Sequence, residues 1–125
     1  MGTRILVVDD STVAAQQISG VLTDTPDYEV VGHARNGAEA LKLYGQMQPD
    51  IVMMDLVMPV MDGLQALRAL RGMDPNARVI VLSSVGGVES KVTEALRFGA
   101  AAVVVKPLEA DKVRMAIERA MGRQA

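Results

Sequence analysis

A chain of 125 residues falls in the size range of one domain, and with half its residues hydrophobic and 22% charged it has a globular rather than a disordered balance. The lack of cysteine excludes disulfides, thiolate metal sites and a cysteine nucleophile, and a net charge of −2 with scattered Lys and Arg excludes the footprint of a nucleic-acid binder. No apolar run approaches the ~20 residues that span a bilayer and no signal-like leader precedes Ile5, so one soluble, cytoplasmic domain over 1–125 is expected.

Short β-branched runs alternate with longer stretches of helical period, the pattern of a βα-repeating domain with a parallel sheet. The first strand is expected over 4–8 and the first helix from Ser11, with Val13, Ala14, Ile18, Val21 and Leu22 as its apolar stripe. Thr25-Pro26-Asp27 breaks that helix, and the second strand follows over 29–32. The second helix begins near Asn36-Gly37 and carries Ala40, Leu41 and Tyr44 inward; Gln48-Pro49-Asp50 then turns the chain into the third strand, 51–54. The third helix starts near Gly63, shows Leu64, Leu67, Ala69 and Leu70, and ends around Gly72, before the turn Asp74-Pro75-Asn76 and the fourth strand, 79–82. The fourth helix is expected over 88–98 with Gly99 as a left-handed cap, the fifth strand over 101–105, and a fifth helix after Lys106-Pro107.

Polar residues stand where the apolar runs stop: Asp9 and Asp10 after the first, Asp55 after the third, Ser83 after the fourth and Lys106 after the fifth. Five βα units with right-handed crossovers give an α/β doubly wound parallel sheet of order 2-1-3-4-5. All five groups then converge on one edge. The topological switch lies between strands one and three, which end in Asp9-Asp10 and Asp55. Two carboxylates ~4 Å apart repel by ~4 kcal/mol at an effective dielectric near 20, so the site must raise a pKa or hold a cation. Oxygen ligands without histidine or cysteine favour Mg²⁺. With Lys106 as a second positive group, an aspartate so flanked can attack phosphorus as a nucleophile. Taken singly, Asp9-Asp10 reads as a turn or cap and Lys106 as a solvated loop lysine; their convergence reverses those readings. Asp62-Gly63 reads as a helix-starting cap and His33 as an ordinary residue at the end of strand two. The nine methionines read mainly as core filling, with Met58 and Met61 partly exposed loop residues. Phe98 is either core or part of a partner face.

Four segments together resemble the signatures of the receiver domain of two-component response regulators: Val7-Val8-Asp9-Asp10-Ser11, Met54-Asp55 through Met61-Asp62-Gly63, Leu82-Ser83-Ser84 and Val105-Lys106-Pro107. The likeness runs through essentially the whole chain. It implies a flavodoxin-like, CheY-like (βα)5 fold, with Asp55 taking a phosphoryl group from a kinase phosphohistidine or a small phosphodonor. It implies Mg²⁺ held directly by Asp10 and Asp55, through water by Asp9, and by the backbone carbonyl of Val57. Lys106 would pair with Asp55 and then with the phosphoryl group, Ser83 would hydrogen-bond a phosphoryl oxygen, and Lys106-Pro107 would be cis. Apart from its own phosphorylation and dephosphorylation, such a domain is not an enzyme. The implied partners are a histidine kinase or phosphotransfer protein upstream. Downstream stand a motor, another relay member or a dimer mate, read through helix four, strand five and helix five. The unphosphorylated chain would be a monomer without nucleic-acid or membrane contacts, either a single-domain regulator or an excised receiver.

Three positions depart from the family pattern. Val103 stands where receivers commonly carry the aromatic ring that reports the switch hydroxyl. The Ser83-to-Lys106 spacing is one residue longer than is commonest, with Gly86-Gly87 in the stretched loop, which makes Ser84 a competitor of Ser83 and resembles receivers of chemotaxis methylesterases. Val57 replaces a polar residue that influences the hydrolytic water; with Val85 opposite, it is expected to lengthen the life of the phosphoryl form. Two rival functions are a haloacid-dehalogenase-type phosphohydrolase, which needs a second aspartate where Val57 stands, and a flavodoxin-like cofactor binder, which needs a Ser/Thr- or Gly-rich loop where Asp9-Asp10-Ser11 stands.

Overall fold

Each apolar run becomes a strand of a five-stranded parallel sheet ordered β2-β1-β3-β4-β5. The strands are β1 (Thr3–Val8), β2 (Tyr28–Ala34), β3 (Ile51–Asp55), β4 (Val79–Ser83) and β5 (Ala102–Val105). The helices between and after them are α1 (Thr12–Thr23), α2 (Gly37–Met47), α3 (Gly63–Met73), α4 (Glu89–Arg97) and α5 (Ala110–Ala120). The computed structural model describes residues 2–24, 26–58, 60–84 and 89–122. The expected break at Thr25, the Gly86-Gly87 loop, Val85 and the helix start at Val88 lie outside the described residues.

The two-residue period of a strand sends successive side chains to opposite faces. Ile5, Val7, Ile51, Met53, Ile80 and Leu82 pack with Ile18 and Leu22 of α1 and with Val113 and Ile117 of α5. Leu6, Val8, Val52, Met54, Val79 and Val81 face the other way, onto Ala40 of α2, Leu67 and Leu70 of α3, and Ala95 of α4. Two covered faces explain why these strands show no polar alternation. Each fully buried Leu or Ile contributes about 1.5–3 kcal/mol through removal of apolar surface from water.

Three helices, α1 and α2 close behind strand ends and α3 after the loop that follows β3, begin at side-chain caps. The Ser11 hydroxyl accepts from the Ala14 amide and the Asn36 carbonyl oxygen from the Glu39 amide. Asp62 and Gln65 form a reciprocal capping box, so Asp62-Gly63 is the cap the sequence suggested. Gly63 is required at close quarters, since a Cβ there would lie 2.7 Å from the Leu56 Cα and press on the Asp55 carbonyl. Gly99 adopts φ +100° after α4, as expected of a left-handed cap, and the Lys106-Pro107 peptide is cis.

Local details differ from expectation. Val13 is 64% exposed: the buried face of α1 centres on Ile18, and at 3.6 residues per turn a residue five positions earlier lies about 140° round the helix. β2 extends beyond 29–32 because its pairing follows all of β1 across a register shift between Ile5 and Leu6. α3 continues to Met73, and β5 starts at Ala102 rather than Ala101. Met58 is only 8% exposed and belongs to the core beside α2 and α3, with Met61 packed against it. Phe98 packs partly buried against that core, with the Arg68 guanidinium 4.7 Å over its ring. Val103 packs partly buried on the same side.

Candidate functional site

β1 and β3 are neighbours, so the acidic residues at their carboxyl ends meet at the switch point of the sheet. Asp9, Asp10 and Asp55 each offer a carboxylate oxygen within 4.8 Å of the others. Lys106, just beyond β5, reaches across β4, donating to Asp55 Oδ2 at 3.0 Å and lying 3.7 Å from Asp9 Oδ2. β5 is held for this reach by its pairing with β4 and by the Lys106 amide donating to the Ser83 carbonyl at 2.7 Å.

The three carboxylates sit differently. Asp55 is oriented at both oxygens, Oδ1 accepting the Val57 amide at 3.1 Å and Oδ2 the Lys106 ammonium. Asp9 is 1% exposed; its Oδ1 accepts the Ser11 amide at 2.9 Å, but its buried Oδ2 has no hydrogen-bond donor. Burial pushes the Asp9 carboxyl above its ordinary range, and the negative Asp55 and Asp10 push the same way, against the Ser11 amide and Lys106. Asp10 is exposed at the mouth of the cluster. An orphaned buried oxygen among three hard carboxylates, with no His or Cys ligand among them, fits a divalent cation that prefers oxygen and retains water, as Mg²⁺ does.

Ser83 is the last residue of β4 and buried; its hydroxyl donates to the Ser84 carbonyl at 3.4 Å. Ser83 and Ser84 both line a cavity of about 110 Å³ with Asp55 and Val57. The Val57 side chain is 67% exposed. All the sequence-selected positions therefore lie at one end of the sheet. Two neighbours carried no signal in the sequence. The His33 ring donates through Nε2 to the Asp9 backbone carbonyl at 2.9 Å, so it supports the strand end as a structural residue. Lys91, in the first turn of α4, lines the same cavity as Asp55.

A family model for the response regulator receiver domain matches residues 5–118. The chain is 43% identical over 117 residues to the chemotaxis protein CheY of Listeria monocytogenes, covering 94% of this chain and 97% of that protein. It is 40% identical over 119 residues to a protein-glutamate methylesterase/protein-glutamine glutaminase of Nocardioides, covering 94% of this chain but 32% of that protein. Among solved structures, a chain of the CheX-CheY-BeF3-Mg complex from Borrelia burgdorferi matches with a TM-score of 0.87 at 34% identity, over 94% of this chain and 88% of that one. With the four motifs on one sheet edge and these likenesses along nearly its whole length, the chain belongs to the response regulator receiver domains, the phosphoacceptor signalling domains of two-component systems.

Proposed function

We propose that Asp55 is the phosphoacceptor and that residues 1–125 act as one receiver domain. The observation that carries this is the arrangement at Asp55: one oxygen on an ammonium at 3.0 Å, with two further carboxylates gathered within 4.8 Å at the mouth of the sheet. An Asp55 oxygen attacks the phosphorus of a phosphohistidine; the P–N bond breaks, an acyl phosphate O–P bond forms, and the imidazole leaves with the electron pair of the broken bond. Lys106 moves its ammonium from the carboxylate to the transferred phosphoryl group, and the Ser83 hydroxyl donates to a phosphoryl oxygen. Ser83 is preferred over exposed Ser84 because it ends β4 opposite Val105, next to Lys106. Asp10, Asp55 and the Val57 carbonyl would hold Mg²⁺, with Asp9 acting through water. The ion supplies charge neutralisation for the incoming phosphoryl oxygens. Self-phosphorylation from acetyl phosphate and self-dephosphorylation are the only chemistry assigned.

The upstream partner is a histidine kinase or phosphotransfer protein. The downstream partner or dimer mate reads α4, β5 and α5, where Leu96, Val105 and Met115 stand exposed. A chemotaxis role rests on the CheY relatives, and a cytoplasmic site suits a relay that draws phosphoryl groups from ATP; among the described residues no helix is long and apolar enough to cross a membrane. The family match disfavours the phosphohydrolase and flavin-binder alternatives. Incubation with acetyl phosphate and Mg²⁺ should add one phosphoryl mass to the native chain and none to Asp55→Ala. Equal labelling of both proteins would refute the assignment.

A further inference from the structure

Lys106 has little charge to spare. Its ammonium already serves Asp55 at 3.0 Å and Asp9 at 3.7 Å, so the three clustered carboxylates with Lys106 leave two negative charges, which one divalent cation cancels. Phosphorylation replaces the single charge of the Asp55 carboxylate by a group of about −1.5 to −2. About half to one negative charge then needs a further partner. Half-buried Lys91 lines the cavity that Asp55, Val57, Ser83 and Ser84 open onto. Among the described side chains no carboxylate pairs with it.

Resting on the assignment of Asp55 as phosphoacceptor, we propose that the Lys91 ammonium binds a terminal oxygen of the phosphoryl group and thereby ties α4 directly to the phosphorylation state. Such a link supplies what Val103 cannot. A valine has no ring to swing between α4 and β5, whereas a lysine on the first turn of α4 carries the response to the helix by charge alone. Val92 and Ala95 of α4 contact the core, and Phe98 follows beneath Arg68. A pull at Lys91 therefore acts on a helix seated at its middle and far end.

Beryllofluoride, a non-covalent stand-in for the phosphoryl group, tests this with Mg²⁺ present. Binding followed by ¹⁹F NMR should weaken roughly threefold to tenfold in Lys91→Gln, the range of a partly exposed charge-assisted contact. Affinity should recover in Lys91→Arg, and the native advantage should shrink with added salt. Amide exchange in α4 should slow on loading in the native and Lys91→Arg proteins and not in Lys91→Gln, while urea midpoints of the unloaded proteins agree. Native affinity in Lys91→Gln, or an unaltered α4 response there, would overturn the Lys91 proposal while leaving Asp55 in place. Failure of the native chain to bind beryllofluoride, or to gain a phosphoryl mass at Asp55, would overturn both.

Discussion

Replacing Asp9 by asparagine should make the metal-free protein more stable and remove most of what magnesium adds. The Asp9 carboxylate has oxygens of Asp10 and Asp55 within 4.8 Å, and each repulsion at that distance is worth about 3.5 kcal/mol at an effective dielectric near 20. Lys106, 3.7 Å away, returns about 4.5 kcal/mol on the same scale. The balance is unfavourable before desolvation of a 1% exposed group is considered. The asparagine side chain would keep an oxygen for the Ser11 amide and put a donor where Oδ2 now has none. After screening by water at the open mouth, the gain should be about 1–2 kcal/mol in urea denaturation at neutral pH with EDTA. The sign agrees with the raised carboxyl: ionisation is penalised in the folded state, so the penalty grows as pH rises from the ordinary value of 3.8 through the folded value. Magnesium closes most of that gap, because a tenfold excess over its dissociation constant stabilises the native protein by about 1.4 kcal/mol. The variant should gain much less. An Asp9→Asn protein no more stable than native in EDTA, or one that gains equally from MgCl₂, would refute this view of the cluster.

Gly63→Ala should destabilise the fold by about 1–3 kcal/mol through overpacking, because its methyl group meets the backbone of Asp55 and Leu56; it should also slow phosphorylation, and an unchanged urea midpoint would count against the contact. Val57→Asn should shorten the phosphoryl lifetime several-fold, by bringing a polar group to the hydrolytic water at a position 67% exposed; intact mass against time checks this, and an equal lifetime would remove the idea. The Tyr44 hydroxyl donates to Asp74 at 2.7 Å; burial and that bond push the phenol up to about 12, while the phenol holds the Asp74 carboxyl below its ordinary range. The phenol's contribution is present below its ordinary value of 10 and is lost as pH rises through about 12; that of Asp74 is present above 3.8 and is lost as pH falls through its lowered value. Tyr44→Phe should flatten both limbs of the stability–pH curve, and native-like limbs would exclude the coupling.

The sheet was legible because its strands are buried on both faces, so Ile51 through Met54 and Val79 through Leu82 read as continuous apolar runs bounded by turns. The cluster was legible because strand ends carry its side chains: once Asp9, Asp55 and Lys106 are assigned to parallel strands, topology alone brings them together. What stayed hidden depends on rotation and close approach. Val13 matched a helical stripe by spacing, yet the buried face of α1 centres on Ile18. Met58 looked like a loop residue, but the chain after β3 folds onto the core beside α2, with the Gly37 amide donating to the Met61 carbonyl at 3.1 Å. His33 and Lys91 meet the site through neighbouring elements, one at a β2 strand end and one on a helix turn, at positions no motif marks.

The central claim is that the phosphoryl group resides on Asp55. An acyl phosphate is reduced by borohydride, so phosphorylation with acetyl phosphate and Mg²⁺, reduction and peptide mapping locates the modified residue. The account predicts homoserine at position 55, dependent on Mg²⁺ and with Asp9 and Asp10 unchanged. Reduction at Asp9 or Asp10, a stable phosphate on Ser83 or Ser84, or no labelled peptide would contradict it.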